Sequence, residues 1–97
     1  MPKTIWKYDM PSSRSQATLG DGRFDVTMPV GAEIVCLDKQ HDLPKLCVLL
    51  NPEYTEREQR HFRIVGTGGR ILPDGTKYIG SWQMSEGNLV FHLFEYI

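Results

Sequence analysis

Residues 77–84, Lys77-Tyr78-Ile79-Gly80-Ser81-Trp82-Gln83-Met84, and residues 89–97, Leu89-Val90-Phe91-His92-Leu93-Phe94-Glu95-Tyr96-Ile97, flank Ser85-Glu86-Gly87-Asn88. Both runs are rich in aromatic and β-branched residues, and Glu86-Gly87 suits a tight turn, so the stretch reads as a β-hairpin. With Ser85 facing Asn88, Trp82 pairs with Phe91, Gly80 with Leu93, Tyr78 with Glu95, Ser81 with His92 and Ile79 with Phe94. The Trp82 face becomes the core side. The reverse face carries Ile79, Ser81, Gln83, Val90, His92, Phe94 and Tyr96.

Working back from this hairpin, glycine and proline recur at short intervals, 9 and 6 residues in 97, which suits short strands rather than long helices. Residues 3–10 alternate Thr4, Trp6, Tyr8 and Met10 against Ile5, Lys7 and Asp9. Residues 12–22 are polar and rich in serine and glycine, and read as a flexible loop. Residues 23–28 then direct Phe24, Val26 and Met28 inward. Residues 32–40 and 45–51 form two more strands around His41-Asp42-Leu43-Pro44. Pairing Gln40 with Lys45 puts Val35, Leu37, Leu46, Val48 and Leu50 on the core face, with Ile34, Cys36, Asp38, Cys47, Leu49 and Asn51 opposite. In that register Cys36 and Cys47 are diagonal neighbours, roughly 7–8 Å apart at Cα, and read as free, buried, inert thiols rather than a disulfide. Asn51-Pro52-Glu53-Tyr54 can cap one helical turn, and residues 60–65 resume a strand that Gly66-Thr67-Gly68-Gly69 stops. About seven strands with no helix long enough for a parallel crossover imply an all-β fold. The expected form is one domain over residues 1–97, a small antiparallel sheet curled into a sandwich or open barrel.

Composition narrows the function classes. Lys and Arg number 11 against 12 Asp and Glu, a formal charge of −1, so no broad field draws the chain to DNA or anionic lipid. No apolar run reaches the roughly 20 residues of a membrane span, and the first residues lack the apolar stretch of a signal peptide, which implies a cytoplasmic protein. His41, His61 and His92 have no metal-ligand spacing, so no metal or cofactor is expected. Ser81 and His92 face each other without an orienting acid, since Glu95 points to the other face, and no Gly-x-Ser-x-Gly elbow surrounds Ser81. A hydrogen-bonded cross-strand pair is the better reading, and an enzyme is not expected.

The segment Arg63-Ile64-Val65-Gly66-Thr67-Gly68-Gly69-Arg70 is the leading ligand-contact candidate. Glycines let successive amides point into one concavity, and Arg63 and Arg70 can hold phosphate oxygens. The spacing is neither that of a Walker loop nor that of a dinucleotide fingerprint, and the competing reading is a turn that only redirects the strand. The candidate site is Arg63, Gly66, Thr67, Gly68, Gly69 and Arg70, with Tyr78 and Tyr96 offering rings for stacking.

Lys3-Thr4-Ile5-Trp6-Lys7-Tyr8, Phe62-Arg63-Ile64-Val65-Gly66-Thr67-Gly68, Lys77-Tyr78-Ile79-Gly80 and Leu89-Val90-Phe91-His92-Leu93-Phe94-Glu95 together resemble a family of small uncharacterised proteins of bacteriophages and prophages. Residues 12–25 are longer than the family's pattern. The resemblance implies an accessory binding protein, with two outcomes: sequestering a small nucleotide-like anion, in an anti-defence role, or occluding a host protein. A small hydrolase is the third reading. A homo-oligomer is expected, because a chain of 97 residues encloses little volume and a cleft between subunits is the easiest pocket to make.

Overall fold

A computed structural model describes residues 3–40, 43–69, 75–84 and 89–97, with Gln40 described in its backbone only. The chain is all-β, with strands β1 (Thr4–Asp9), β2 (Arg23–Pro29), β3 (Glu33–Gln40), β4 (Leu43–Leu50), β5 (Arg57–Gly66), β6 (Thr76–Met84) and β7 (Leu89–Tyr96). A 3-10 turn at Arg14–Gln16 accompanies them. The strands form two antiparallel sheets, ordered β1-β4-β3 and β2-β5-β7-β6. The sheets face each other across a shared core, with Leu46, Val48 and Leu50 on one side and Phe24, Met28, Phe62, Ile64, Trp82 and Leu93 on the other. Phe24 stacks on Phe62 at 5.3 Å, and Trp82 lies 5.7 Å from Phe91, its register partner as the sequence predicts. The hairpin turn 85–88 and the turn residues 41–42 lie outside the described residues.

Two strands carry an irregularity that the straight registers miss. Gln40 pairs with Leu43, not Lys45, so Leu43 and Pro44 belong to β4 rather than to a turn. Proline is tolerated because β1 ends where Asp9 meets Lys45, leaving β4 with one neighbour at Pro44. The β3 register then shifts between Ile34 and Cys36, so Val35 is left without a partner and is 46% exposed, while Ile34 and Leu37 pack against the core. This overturns Val35 as a core residue and Ile34 as an outward one. The Gln40–Leu43 register, unbroken as far as Cys36, makes Cys36 and Cys47 direct cross-strand partners instead of diagonal ones, and of the two thiols expected to be buried only Cys47 is, Cys36 being exposed.

The second shift lies in β6 between Tyr78 and Gly80. Gly80 and Leu93, Ser81 and His92, and Trp82 and Phe91 pair as expected, but Tyr78 meets Phe94 and Lys77 meets Glu95. Ile79 turns toward the core and Tyr78, 55% exposed, turns outward. Both bulges sit on the edge strands where the two sheets approach. There a Cβ at Gly80 would stand 3.1 Å from the Leu37 Cβ, and Lys39 Nζ donates to the Gln83 carbonyl at 2.6 Å. Glycine at 80 admits this close approach.

Residues 12–22 are fastened at several points. Trp82 Nε1 donates to the Ser12 carbonyl at 3.1 Å, and Ile64 N donates to the Gly22 carbonyl at 2.8 Å. Gly22 has φ +80°, and a Cβ there would run into the Ile64 carbonyl, so glycine is required. At Asn51 the chain makes one hydrogen-bonded turn that does not continue into a helix, and Asn51 caps it as expected. Tyr54 N bonds the Asn51 carbonyl, and Glu53 N bonds the Asn51 side chain.

Alternation along β5 and β7 puts Glu58, Arg60 and Glu95 on the core-facing side, with Glu58 the more open and 3.8 Å from Arg60. Arg60 grips Glu95 through Nε and Nη2, the latter at 2.9 Å, and its Nη1 donates to the Ala32 carbonyl at 2.7 Å. The hydrogen-bonded carboxylate raises the guanidinium pKa, outweighing burial, so Arg60 stays charged. Ala32 lies between β2 and β3, so this fork ties the four-stranded sheet to the chain entering the other one.

The side chains of Arg60 and Glu95 are only 18% and 11% exposed, so removing one strands the other. Arg60→Ala should cost about 3–5 kcal/mol in urea melts, whereas Arg60→Met with Glu95→Leu should recover most of that loss. A single-variant loss under about 1 kcal/mol would contradict the pairing. Gly80→Val should cost about 1–3 kcal/mol by crowding Leu37. Gly66→Ala, with nothing within 4 Å of the added Cβ, should stay within about 0.5 kcal/mol of the parent.

Candidate functional site

The outward face of the four-stranded sheet gathers most of the polar chemistry. One cross-sheet row runs Arg23 on β2, Arg63 on β5, Phe94 on β7 and Tyr78 on β6. The next runs Val65, His92 and Ser81. Tyr78 reaches this face only because Ile79 is the extra residue of the bulge. Its ring then meets Phe94 edge-on, with centroids 5.6 Å apart.

A chain of hydrogen bonds crosses the second row. Thr67 Oγ1 lies 3.0 Å from His92 Nε2, His92 Nδ1 lies 2.8 Å from Ser81 Oγ, and Ser81 Oγ lies 2.6 Å from the Tyr78 hydroxyl. The Ser81–His92 pair expected from the sequence is therefore present. His92's remote nitrogen meets the Thr67 hydroxyl, which cannot stabilise an imidazolium as a carboxylate does. Asp25 is engaged elsewhere, 2.8 Å from His61 Nδ1. Among the described residues, no group of three His, Cys, Asp or Glu side chains is placed to hold a metal ion.

Arg63 is the electrostatic oddity of the face. It stands directly opposite Arg23, and like charges facing across an antiparallel pair repel. Its Nε is buried without a hydrogen-bond partner among the described residues. Arg63 also borders an open cleft of about 400 Å³ whose other walls are Arg14, Asp21, Ile64, Val65, Gly68 and Gly69. Arg14 and Asp21 pair at 3.8 Å across it.

The turn at 66–69 gives less than a full amide cradle. Gly69 N donates to the Gly66 carbonyl at 2.9 Å and Thr67 N to the Val90 carbonyl at 3.2 Å, so both amides are already engaged. Gly68, at φ +85°, occupies the left-handed region that the turn needs. The turn begins the connection from β5 to β6, at whose ends Gly66 pairs with Phe91 and Thr76 with Tyr96.

Of the candidate residues, Arg63, Gly68 and Gly69 line one cleft, and Thr67 and Tyr78 end one hydrogen-bond chain. Gly66 serves the turn through its carbonyl. Tyr96 lines a separate cleft with Leu19, Arg23, Asp25, His61 and Phe62. Arg70 lies outside the described residues. Sequence reading did not assign Arg14, Asp21, Arg23, Ser81, His92 or Phe94 to the site. Strand parity alone could have added Arg23, Ser81, His92 and Phe94, whereas Arg14 and Asp21 arrive by the path of the 12–22 segment, which carries no periodic signal.

The described residues contain no helix long and apolar enough to cross a membrane. No curated protein and no solved structure matches the chain. Residues 1–97 match the model of a domain of unknown function, DUF7352, and the chain belongs to that family.

Proposed function

We propose that the protein is a binding module that takes a small anionic, nucleotide-like ligand on the outward face of the four-stranded sheet, with Arg63 as its main ionic contact. The observation that carries this reading is Arg63 itself, opposite a second arginine and holding a buried, unpartnered Nε at the wall of a cleft. A fold that only needed a strand residue there gains nothing from opposed guanidiniums. A phosphate or carboxylate would relieve the repulsion and satisfy the donor. Tyr78, beside Phe94 on the same row, offers a ring on which a base could stack. The role that fits is sequestration, because His92 is held between hydroxyls and the described face lacks an acid to orient it.

Calorimetric titration against a panel of cyclic and ADP-ribose-type nucleotides, with inorganic pyrophosphate alongside, tests the reading. A charge-assisted contact is worth roughly 1.5–3 kcal/mol, so Arg63→Ala should weaken binding about 10- to 100-fold. Its melting temperature should stay level or rise, since the substitution removes a repulsive neighbour of Arg23. Loss of binding together with loss of fold, equal affinity in the variant, or no binding by the parent protein would each sink the proposal. Tyr78→Phe should bind within about threefold of the parent, whereas Tyr78→Ala should lose about tenfold as the stacking surface goes.

A further inference from the structure

The three-stranded sheet carries its own reactive constellation, on a different part of the molecule from the anion site and independent of it. The register that starts at Gln40 and Leu43 and runs unbroken to Cys36 sets Cys36 of β3 directly opposite Cys47 of β4. Directly opposed residues of an antiparallel pair have Cα atoms about 4.5–5.5 Å apart, inside the window of about 4.4–6.8 Å that a disulfide needs. The two thiols differ in access. Cys36 lies on an edge strand and is exposed, while Cys47 lies on the central strand and is buried. On the far side of Cys47, Lys7 of β1 is its register partner, and Lys7 Nζ reaches Asp38 Oδ2 at 3.8 Å, so an ammonium spans the pair.

We infer that Cys36 and Cys47 form a reversible dithiol–disulfide pair that exchanges with low-molecular-weight disulfides of the glutathione type, Cys36 being the entry thiol and Cys47 the resolving one. The Cys36 thiolate attacks one sulfur of oxidised glutathione, forming a mixed disulfide and releasing one glutathione thiolate. Cys47 then gives up its proton to solvent and attacks the Cys36 sulfur. The protein disulfide forms, the Cys36–glutathione bond breaks, and the second glutathione thiolate leaves. Two protein thiols are oxidised and one glutathione disulfide is reduced to two thiols, so the electrons balance. The order of attack has a physical basis. A side-chain hydrogen bond with Cys36 and burial hold the Cys47 thiol up to about 11, so it remains protonated while Cys36 is reduced. The bond that results fastens edge strand β3 to β4 beside the bulge.

Incubation of the protein with excess oxidised glutathione, followed by unfolding, alkylation and mass analysis, tests the inference. The parent protein should gain neither glutathione nor alkyl label and lose two hydrogens, with dithiothreitol restoring both labels. Cys47→Ser should retain one glutathione on Cys36, and Cys36→Ser should react at least about tenfold more slowly, its remaining thiol being buried. Two labels on the glutathione-treated parent protein, two bound glutathiones, or a disulfide between two chains would overturn the inference. So would equal rates for the two serine variants. The assay on the parent protein decides even if a variant fails to fold.

Discussion

The close approach of β3 and β6, at Leu37 and Gly80, is the constraint on which the remaining structure depends. Two sheets can share one core at their joined edges only if the edge strands bend there, and each strand bends by accepting one extra residue. Val35 is the extra residue on β3 and Ile79 on β6. Because side chains alternate with a period of two, an extra residue exchanges the faces of everything on one side of it. Ile34 and Ile79 thereby reach the core. Tyr78 comes outward beside Phe94 and Ser81. The contact of Tyr78 with Phe94 on the outward face is a consequence of the second insertion.

At its other end the sandwich is tied by a charged pair. Arg60 and Glu95 occupy inward positions that an apolar pair of similar volume would fill at equal or lower free energy. What they add is direction, since a guanidinium that bonds both carboxylate oxygens and the Ala32 carbonyl fixes how β5 and β7 stand relative to the chain leaving β2. The same residue type on the outward face behaves in the opposite way. Arg60 finds a carboxylate, whereas Arg63 finds another arginine and keeps a donor unused among the described residues. That contrast is the physical ground for reading one as scaffold and the other as site.

Much of the fold was legible in the residues. Alternation located the strands, and the pairing of Trp82 with Phe91 and of Ser81 with His92 followed from a turn centred on Glu86-Gly87. What alternation cannot announce is its own interruption. Gly80 inside an apolar strand was the local sign of a bulge, but a straight register carried Tyr78 to the core face and Ile79 to the outward one. Ile34, Val35 and Leu37 break strict alternation too, and no glycine marks the place. Pro44 was read as turn chemistry, although a strand that has lost one neighbour accepts it. Residue type and spacing point to Arg63, Thr67 and Tyr78, which the fold places at a cleft and at the two ends of a hydrogen-bond chain. The contributions of Arg14 and Asp21 depend on how the 12–22 segment folds back over β5, which no periodicity encodes.

The outward placement of Tyr78 depends on the Ile79 bulge, and cross-strand nuclear Overhauser contacts along β6 and β7 in isotope-labelled protein test it directly. Backbone contacts should pair Tyr78 with Phe94 and Lys77 with Glu95, with Gly80 still opposite Leu93. Contacts pairing Tyr78 with Glu95 and Ile79 with Phe94 would mean a straight strand. Tyr78 would then face the core, and the aromatic wall of the outward face would not exist.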